Sequence, residues 1–259
     1  MLFRSNTELT RGIARGLAGE LGVSFTEAPI HAQFEAGRAL LRAMHGEGEI
    51  PRLTVQNLQA RIRGAAMWNW ANANQAMWIQ TGNMSEKAVG YTTIVGDLMG
   101  AYSLIGNLPK TVVIELLRYL AHTRYAGSPA LARLVETRPS AELEENQEDE
   151  RDLMPFPVLD ACYALFAGER MMPHEVYRVL RTMWTDEALK GMGADYEPGM
   201  LKQWVRRFVV LFRASIFKWV QAPQAVHLGS LDLDRERALQ LPVVQSSEWL
   251  ALEELDRLT

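Results

Sequence analysis

Residues 81–97 read TGNMSEKAVGYTTIVGD. A short apolar run at residues 77–80 comes just before and reads as a strand. Thr81-Gly82-Asn83 then turns the chain into a short helix. Strand, tight turn and helix start in that order are the repeating unit of parallel α/β sheets. In such sheets ligands gather at the carboxyl ends of strands, where helix N-termini attract anions. The stretch carries Glu86, the hydroxyls of Thr92 and Thr93, and a closing Gly96-Asp97 pair. Those groups can meet phosphate, metal and ribose. Asn83 followed three residues later by Glu86 also matches a helix capping box. The two roles are compatible, because Mg²⁺ takes one or two carboxylates together with substrate phosphates.

The flanking sequence reads as scaffold. Upstream, Leu9, Ile13, Leu17 and Leu21 recur at helical spacing over residues 6–21, and Gly22 is placed to stop the helix. Residues 23–30 read as a strand and residues 31–44 as a second helix. Thr54 is the expected N-cap of a longer helix reaching about Ala73. Downstream, Pro109 suits a first helical turn, and Val113, Leu116, Leu117 and Leu120 line the face that follows. Only two strands are evident, few for a sheet. From Gly127 the composition shifts, and Pro129, Pro139 and the acidic residues 142–152 read as a solvated loop. After it come helices only, at residues 158–167, 173–184 and 200–220, with a loop over 191–199. The last helix has a wide apolar face through Leu201, Trp204, Val205, Phe208, Leu211, Phe212, Ile216 and Trp219. Arg207 and Lys218 share one edge of it. The tail after Pro223 has little periodicity.

Composition narrows the function classes. The chain has 259 residues, 48% of them hydrophobic, which is enough for a sizeable core. A formal charge of −4 argues against a general nucleic-acid binder. The single cysteine, Cys162, reads as a small buried hydrophobe, and zinc held by Cys/His clusters is excluded by supply. Residues 1–12 lack the apolar core of a signal peptide, and no run approaches the roughly 20 apolar residues of a membrane span. A cytoplasmic protein is expected.

Three further places could carry chemistry. Asn57 and Arg61 lie one helical turn apart, with Gly64 continuing the same face. A small residue there would let a planar ligand approach; a solvent-exposed stripe is the plainer reading. Lys110 begins its helix, where the macrodipole disfavours a cation, so a compensating anion is expected. Lys218 reads equally as a snorkelling lysine.

These residues together resemble the synthetase domain of NAD synthetase, in its glutamine-dependent type. That family carries an N-x-x-A-R helix, then T-G-N-x-S-E, then G-Y-x-T-x-x-G-D, then a P-K-T helix start. Here they stand as Asn57 to Arg61, Thr81 to Glu86, Gly90 to Asp97, and Pro109-Lys110-Thr111. The segments around Ser140 to Leu143, Pro157 to Leu165 and Phe217 to Pro223 resemble the family's helical C-terminal part. The resemblance implies an α/β fold of the adenine nucleotide alpha hydrolase-like kind: a partial parallel sheet with helices on both faces, followed by a helical C-terminal part. It implies a nucleotide-binding core over residues 1–126, and the acidic loop and C-terminal helices of the same synthetase domain over 127–259. The implied reaction is ATP-dependent amidation of deamido-NAD (nicotinic acid adenine dinucleotide) to NAD, a ligase step, with ammonia drawn from glutamine. Glu86 then resembles the Mg²⁺ ligand and Lys110 its catalytic companion. Thr81 and Lys110 resemble ATP contacts. Asn57, Arg61, Glu86, Tyr91, Thr92, Thr93, Ile94, Asp97 and Lys218 resemble contacts to deamido-NAD. A glutaminase domain upstream and a homo-oligomer are implied as partners.

Three departures qualify that expectation. The family's S-G-G-x-D-S phosphate loop is not among the 259 residues. Nor is an amidohydrolase domain that would generate ammonia. Third, Ile94 stands where some members have lysine, and Trp219 where a basic residue often follows the lysine. The expectation is therefore a chain that does not complete the reaction alone. A non-catalytic nucleotide-binding or assembly module, and another ATP-dependent amidating enzyme of similar fold, are the alternatives.

Overall fold

The structure, a computed structural model, describes residues 2–3, 7–137, 139–140, 149–192, 196–233 and 241–258. The elements in chain order are β1 (Leu2–Phe3), α1 (Glu8–Glu20), β2 (Glu27–Ala28), α2 (His31–His45), α3 (Arg52–Ala73), β3 (Ile79–Gln80), α4 (Met84–Ala88) and β4 (Tyr102–Ser103). Next come α5 (Lys110–His122), α6 (Pro129–Glu136), α7 (Asp149–Asp152), α8 (Phe156–Tyr163), α9 (Pro173–Met183), α10 (Asp186–Met192), α11 (Met200–Trp219) and α12 (Leu252–Asp256). They fall into two compact units. The first holds Met1–Gln80, Thr93–Tyr102 and Ile114–Asp149, and the second Thr81–Thr92, Ser103–Val113 and Glu150–Thr259.

In the first unit β1 and β2 run parallel, Leu2 opposite Glu27 and Phe3 opposite Ala28, with α1 as the crossover between them. Thr7 caps α1 through its hydroxyl, 3.2 Å from Thr10 N. Gly16 of α1 lets α6 approach: a Cβ there would stand 3.0 Å from that of Ala130. The Glu20 carboxylate reaches the start of α6 and accepts from Ala130 N at 3.2 Å. Glu27 is held by Arg11 at 3.2 Å and Arg15 at 2.9 Å. The hydrogen bond from Arg11 keeps its carboxyl below the ordinary range.

The second unit holds the main core. The α11 stripe is buried at Leu201, Trp204, Val205, Phe208, Phe212, Ile216 and Trp219, so it faces the unit's own interior and not a partner. Phe166, Phe208 and Phe212 meet edge-on or tilted at centroid distances of 5.4 to 6.1 Å. Each such ring contributes about 1.5–3 kcal/mol by burial alone. Cys162 is fully buried beside Leu159, as a small hydrophobe should be, and burial pushes its thiol far up.

Several sequence expectations are corrected. Among the described residues the strand expected over 23–30 pairs only at Glu27–Ala28; Pro29 has no N–H to extend the ladder. Thr54 lies inside α3, which starts two residues earlier behind Pro51. Residues 129–136 are a helix with Ser128 as N-cap and proline at its first position, a signal the loop reading passed over. Asp149, in the acidic run, is 3% exposed and so is not solvated; residues 142–148 lie outside the described residues. The expected loop at 191–199 begins inside α10, and the tail carries α12.

Candidate functional site

In the second unit the site grows from α4. Asn83 Oδ1 accepts from Glu86 N at 3.1 Å, and Glu86 Oε2 accepts from Asn83 N at 3.4 Å, which completes the capping box. The other carboxylate oxygen meets Lys110 Nζ at 2.8 Å. Glu86 and Lys110 keep 18% and 17% of their side chains exposed, so the pair is shielded yet open to a ligand. The Lys110 ammonium also lies 5.3 Å from the centroid of the buried Phe156 ring. The anion expected at the start of α5 is therefore Glu86.

A second acid stands behind this pair. Asp160 Oδ1 accepts from the Ser85 hydroxyl, and Oδ2 accepts from Thr111 N at 2.9 Å and Thr111 Oγ1 at 2.7 Å. Ser85 Oγ in turn accepts from Lys110 N at 2.7 Å. Burial raises the Asp160 pKa, and these hydrogen bonds offset only part of that rise. Asp160, Ser85 and Thr111 escaped the sequence reading of the site, although one acid inside the apolar run FPVLDACY was a usable signal.

The chain then turns at Gly90, whose φ of +65° suits glycine. Tyr91 O–H donates to Asp152 at 2.7 Å. Lys218 Nζ donates to the carbonyls of Gly90 and Thr92, both at 2.6 Å. Trp219, where the family resemblance expects a basic residue, packs in the core and donates its indole N–H to Lys87 O at 2.9 Å. Thr92 Oγ1 is buried and finds no hydrogen-bond partner among the described residues. Thr81 stands exposed two residues before the Asn83 cap.

The first unit gathers the remaining predicted residues. Thr93 Oγ1 donates to Asn57 Oδ1 at 2.8 Å, and Arg61 Nε donates to Ile94 O at 3.2 Å. The Asn57/Arg61 face of α3 thus holds a loop and is not a bare solvent stripe. Ile94 takes part through its carbonyl, so a lysine is not needed for this contact. Gly64 is also accounted for by the loop: a Cβ there would stand 3.0 Å from Val95 O and 3.1 Å from Gly96 O. Its missing side chain admits loop backbone, not a planar ligand. Asp97 Oδ1 accepts from Thr93 N at 2.9 Å and closes the loop on itself. Val95, exposed and β-branched, holds a positive φ of 63°, an outlier of the kind that collects at functional loops.

Among the described residues no group of three or more His, Cys, Asp or Glu could hold a metal ion, and no helix is long and apolar enough to cross a membrane. The Glu86 carboxylate has more lone pairs than its two contacts use, so it fits a Mg²⁺ whose other ligands are phosphate oxygens and water.

Comparison with known proteins bears on the family and the fold. The NAD synthase family profile matches residues 4–186, more than half of the chain. A glutamine-dependent NAD(+) synthetase of Aquifex aeolicus is 38% identical over 170 residues, covering 64% of this chain and 28% of that protein. One from Xanthomonas campestris pv. campestris is 37% identical over 178 residues, covering 67% and 32%. The chain thus spans about a third or less of these relatives' length. The crystal structure of a glutamine-dependent NAD(+) synthetase from Cytophaga hutchinsonii superposes with a TM-score of 0.80 at 24% identity, over 98% of this chain and 40% of that one. NMN synthetase from Francisella tularensis gives 0.56 at 22% identity, over 77% of each chain. These structures share the fold, α/β of the adenine nucleotide alpha hydrolase-like kind. The capping box at Asn83, the Glu86–Lys110 pair and the Asn57-held loop all lie within the matched residues, and the chain belongs to the NAD synthase family.

Proposed function

We propose that the chain forms a synthetase site for the ATP-dependent amidation of deamido-NAD to NAD. The observation that carries this is the Glu86–Lys110 pair at 2.8 Å, shielded by Phe156 and set at the helix starts of α4 and α5. In the reaction the nicotinate carboxylate attacks the α-phosphorus of ATP and pyrophosphate leaves. Ammonia then attacks the acyl adenylate, sheds a proton, and AMP leaves as the amide forms. Both steps concentrate negative charge on phosphate oxygens. Lys110 offsets that charge with a cation already desolvated on one side. Glu86 holds Lys110 in place and would be the carboxylate ligand of Mg²⁺, which supplies further charge neutralisation on phosphate when bound. Thr81, two residues ahead of the α4 cap, is the remaining ATP contact in this reading.

The dinucleotide side is read from two groups of residues. Lys218 shapes the turn at Tyr91 and Thr92, and the unsatisfied Thr92 hydroxyl is a donor in search of an acceptor. Asn57, Arg61, Thr93, Ile94 and Asp97 form a second constellation on α3 and its loop. Ammonia from glutamine at a glutaminase domain, and a homo-oligomer, complete the proposal.

A second reading, binding without turnover, draws support from one observation. Among the described residues no group of three or more His, Cys, Asp or Glu is placed to hold a metal ion, at Glu86 or elsewhere. One experiment separates the two. The purified chain is given ATP, Mg²⁺, deamido-NAD and ammonium, with NAD formation followed enzymatically and deamido-NAD binding by calorimetry. NAD formation that falls at least about 100-fold in Lys110→Ala supports the synthetase site. Deamido-NAD binding without NAD formation supports the second reading, and absence of both overturns each of them.

A further inference from the structure

Asp160 is an ionisable group in an apolar helix. Its neighbours Leu159 and Cys162 are fully buried, and a carboxylate in such surroundings persists only when hydrogen-bonded. Three donors converge on it: the Ser85 hydroxyl, and Thr111 through both its N–H and its hydroxyl. Ser85 precedes Glu86 in the chain, and Thr111 follows Lys110. Ser85 Oγ also accepts the Lys110 N–H, so the Ser85 side chain and the backbone at Lys110 and Thr111 are tied to one carboxylate, directly or through that hydroxyl. Phe156, which faces the Lys110 ammonium, lies one helical turn before Asp160 on α8.

We propose that Asp160 is the positioning residue of the Glu86–Lys110 pair, a role that rests on the reading of that pair as site groups. It touches neither reacting atoms nor substrate. It fixes the two backbone points from which Glu86 and Lys110 reach each other, so their 2.8 Å contact forms before any ligand arrives. A residue that merely caps α5 would stabilise the fold without governing that contact.

The test is a double-mutant cycle on Glu86→Gln and Lys110→Met, read by urea denaturation in the wild-type and Asp160→Asn backgrounds. The pair is expected to be coupled in the wild type and uncoupled in Asp160→Asn. Leu180→Ala, which opens the same core away from the site, is expected to lower stability and keep the coupling. Coupling that survives Asp160→Asn, or is absent from the wild type, overturns the proposal. If Asp160→Asn does not fold, Ser85→Ala and Thr111→Val each remove one donor hydroxyl. Coupling must then weaken in both, and unchanged coupling in both overturns the proposal. None of these readouts uses catalysis, so a wild-type chain that makes no NAD overturns the functional reading and leaves this one standing. Where the wild type turns over, kcat in Asp160→Asn is expected to fall on the order of 10- to 100-fold with KM for deamido-NAD unchanged. A raised KM with kcat intact overturns the positioning role.

Discussion

Asp160 gives the molecule a pH dependence opposite in sign to that of the shifted carboxyl groups of Glu27 and Asp186. Burial raises its pKa above the unfolded value, so the folded state binds its proton more tightly. Its contribution to stability is full below the ordinary carboxylate value, roughly pH 4, and is lost as pH rises through the folded value. Asp186, held low by the Tyr196 hydroxyl and by Arg181, contributes the reverse: stability present above that value and lost on acidification. The two trends overlap in a single unfolding curve, so the prediction concerns a difference. Urea denaturation of wild type and Asp160→Asn is compared from pH 4 to 7. The wild type should lose ground to the variant as pH rises, and a gap independent of pH would show that burial does not govern this group. At this scale the sequence was informative where two groups lie close along the chain. Asn83 and Glu86 are three residues apart, and both halves of their capping box are present. It was silent on Asp160, because Ser85 and Thr111 are 75 and 49 residues away and no local pattern encodes that meeting.

Short elements here are set by backbone conformation as much as by side-chain chemistry. The five-residue α4 ends in a turn at Gly90, where Lys87 O and Glu86 O accept from Gly90 N at 3.1 Å and Tyr91 N at 2.9 Å. Any side chain at Gly90 meets two obstacles. The φ of +65° disfavours an L-residue, and a Cβ would collide with Ser215 Oγ and stand 2.9 Å from Ser215 Cβ. Gly90→Ala should therefore cost about 2–5 kcal/mol, strain and overpacking together. It should also displace the carbonyl that Lys218 holds. Urea denaturation measures the first effect and calorimetry with deamido-NAD the second; a variant within about 1 kcal/mol of wild type would sink the argument. The glycine was visible in the sequence, and its partner across the turn was not. The same limit explains the strands. Residues 23–30 look strand-like throughout, but among the described residues only Glu27–Ala28 pairs with β1, and a strand exists only where a partner is present to receive its hydrogen bonds. Helix α6 was missed for another reason: two prolines and an acidic run outweighed a Ser-Pro start that is a good helix signal in its own right.

Burial is distributed unevenly over the two units, and that has a measurable consequence. The main hydrophobic cluster lies wholly in the second unit, where α8 and α11 bury Phe156, Val158, Leu159, Phe208, Val209 and Phe212 almost completely. In the first unit α2 buries no residue, and Leu40, Met44 and Leu53 are 62%, 75% and 65% exposed. Helix formation in water depends on packing an apolar face, because nucleation alone is unfavourable. Local opening should then need little more than fraying in α2 and close to global unfolding in α11. The periodicity of the α11 stripe made its burial legible from sequence; the exposure of α2 was not, since a helical stretch alone does not say which of its faces will be covered. Amide hydrogen exchange, followed segment by segment by mass spectrometry, is the direct measurement. Amides of α8 and α11 should exchange slowest, and those of α2 faster by about 100-fold or more, a gap of some 3 kcal/mol in opening free energy. Equal protection of α2 and α11 would mean that the two units open together, and the uneven burial would then carry no energetic weight.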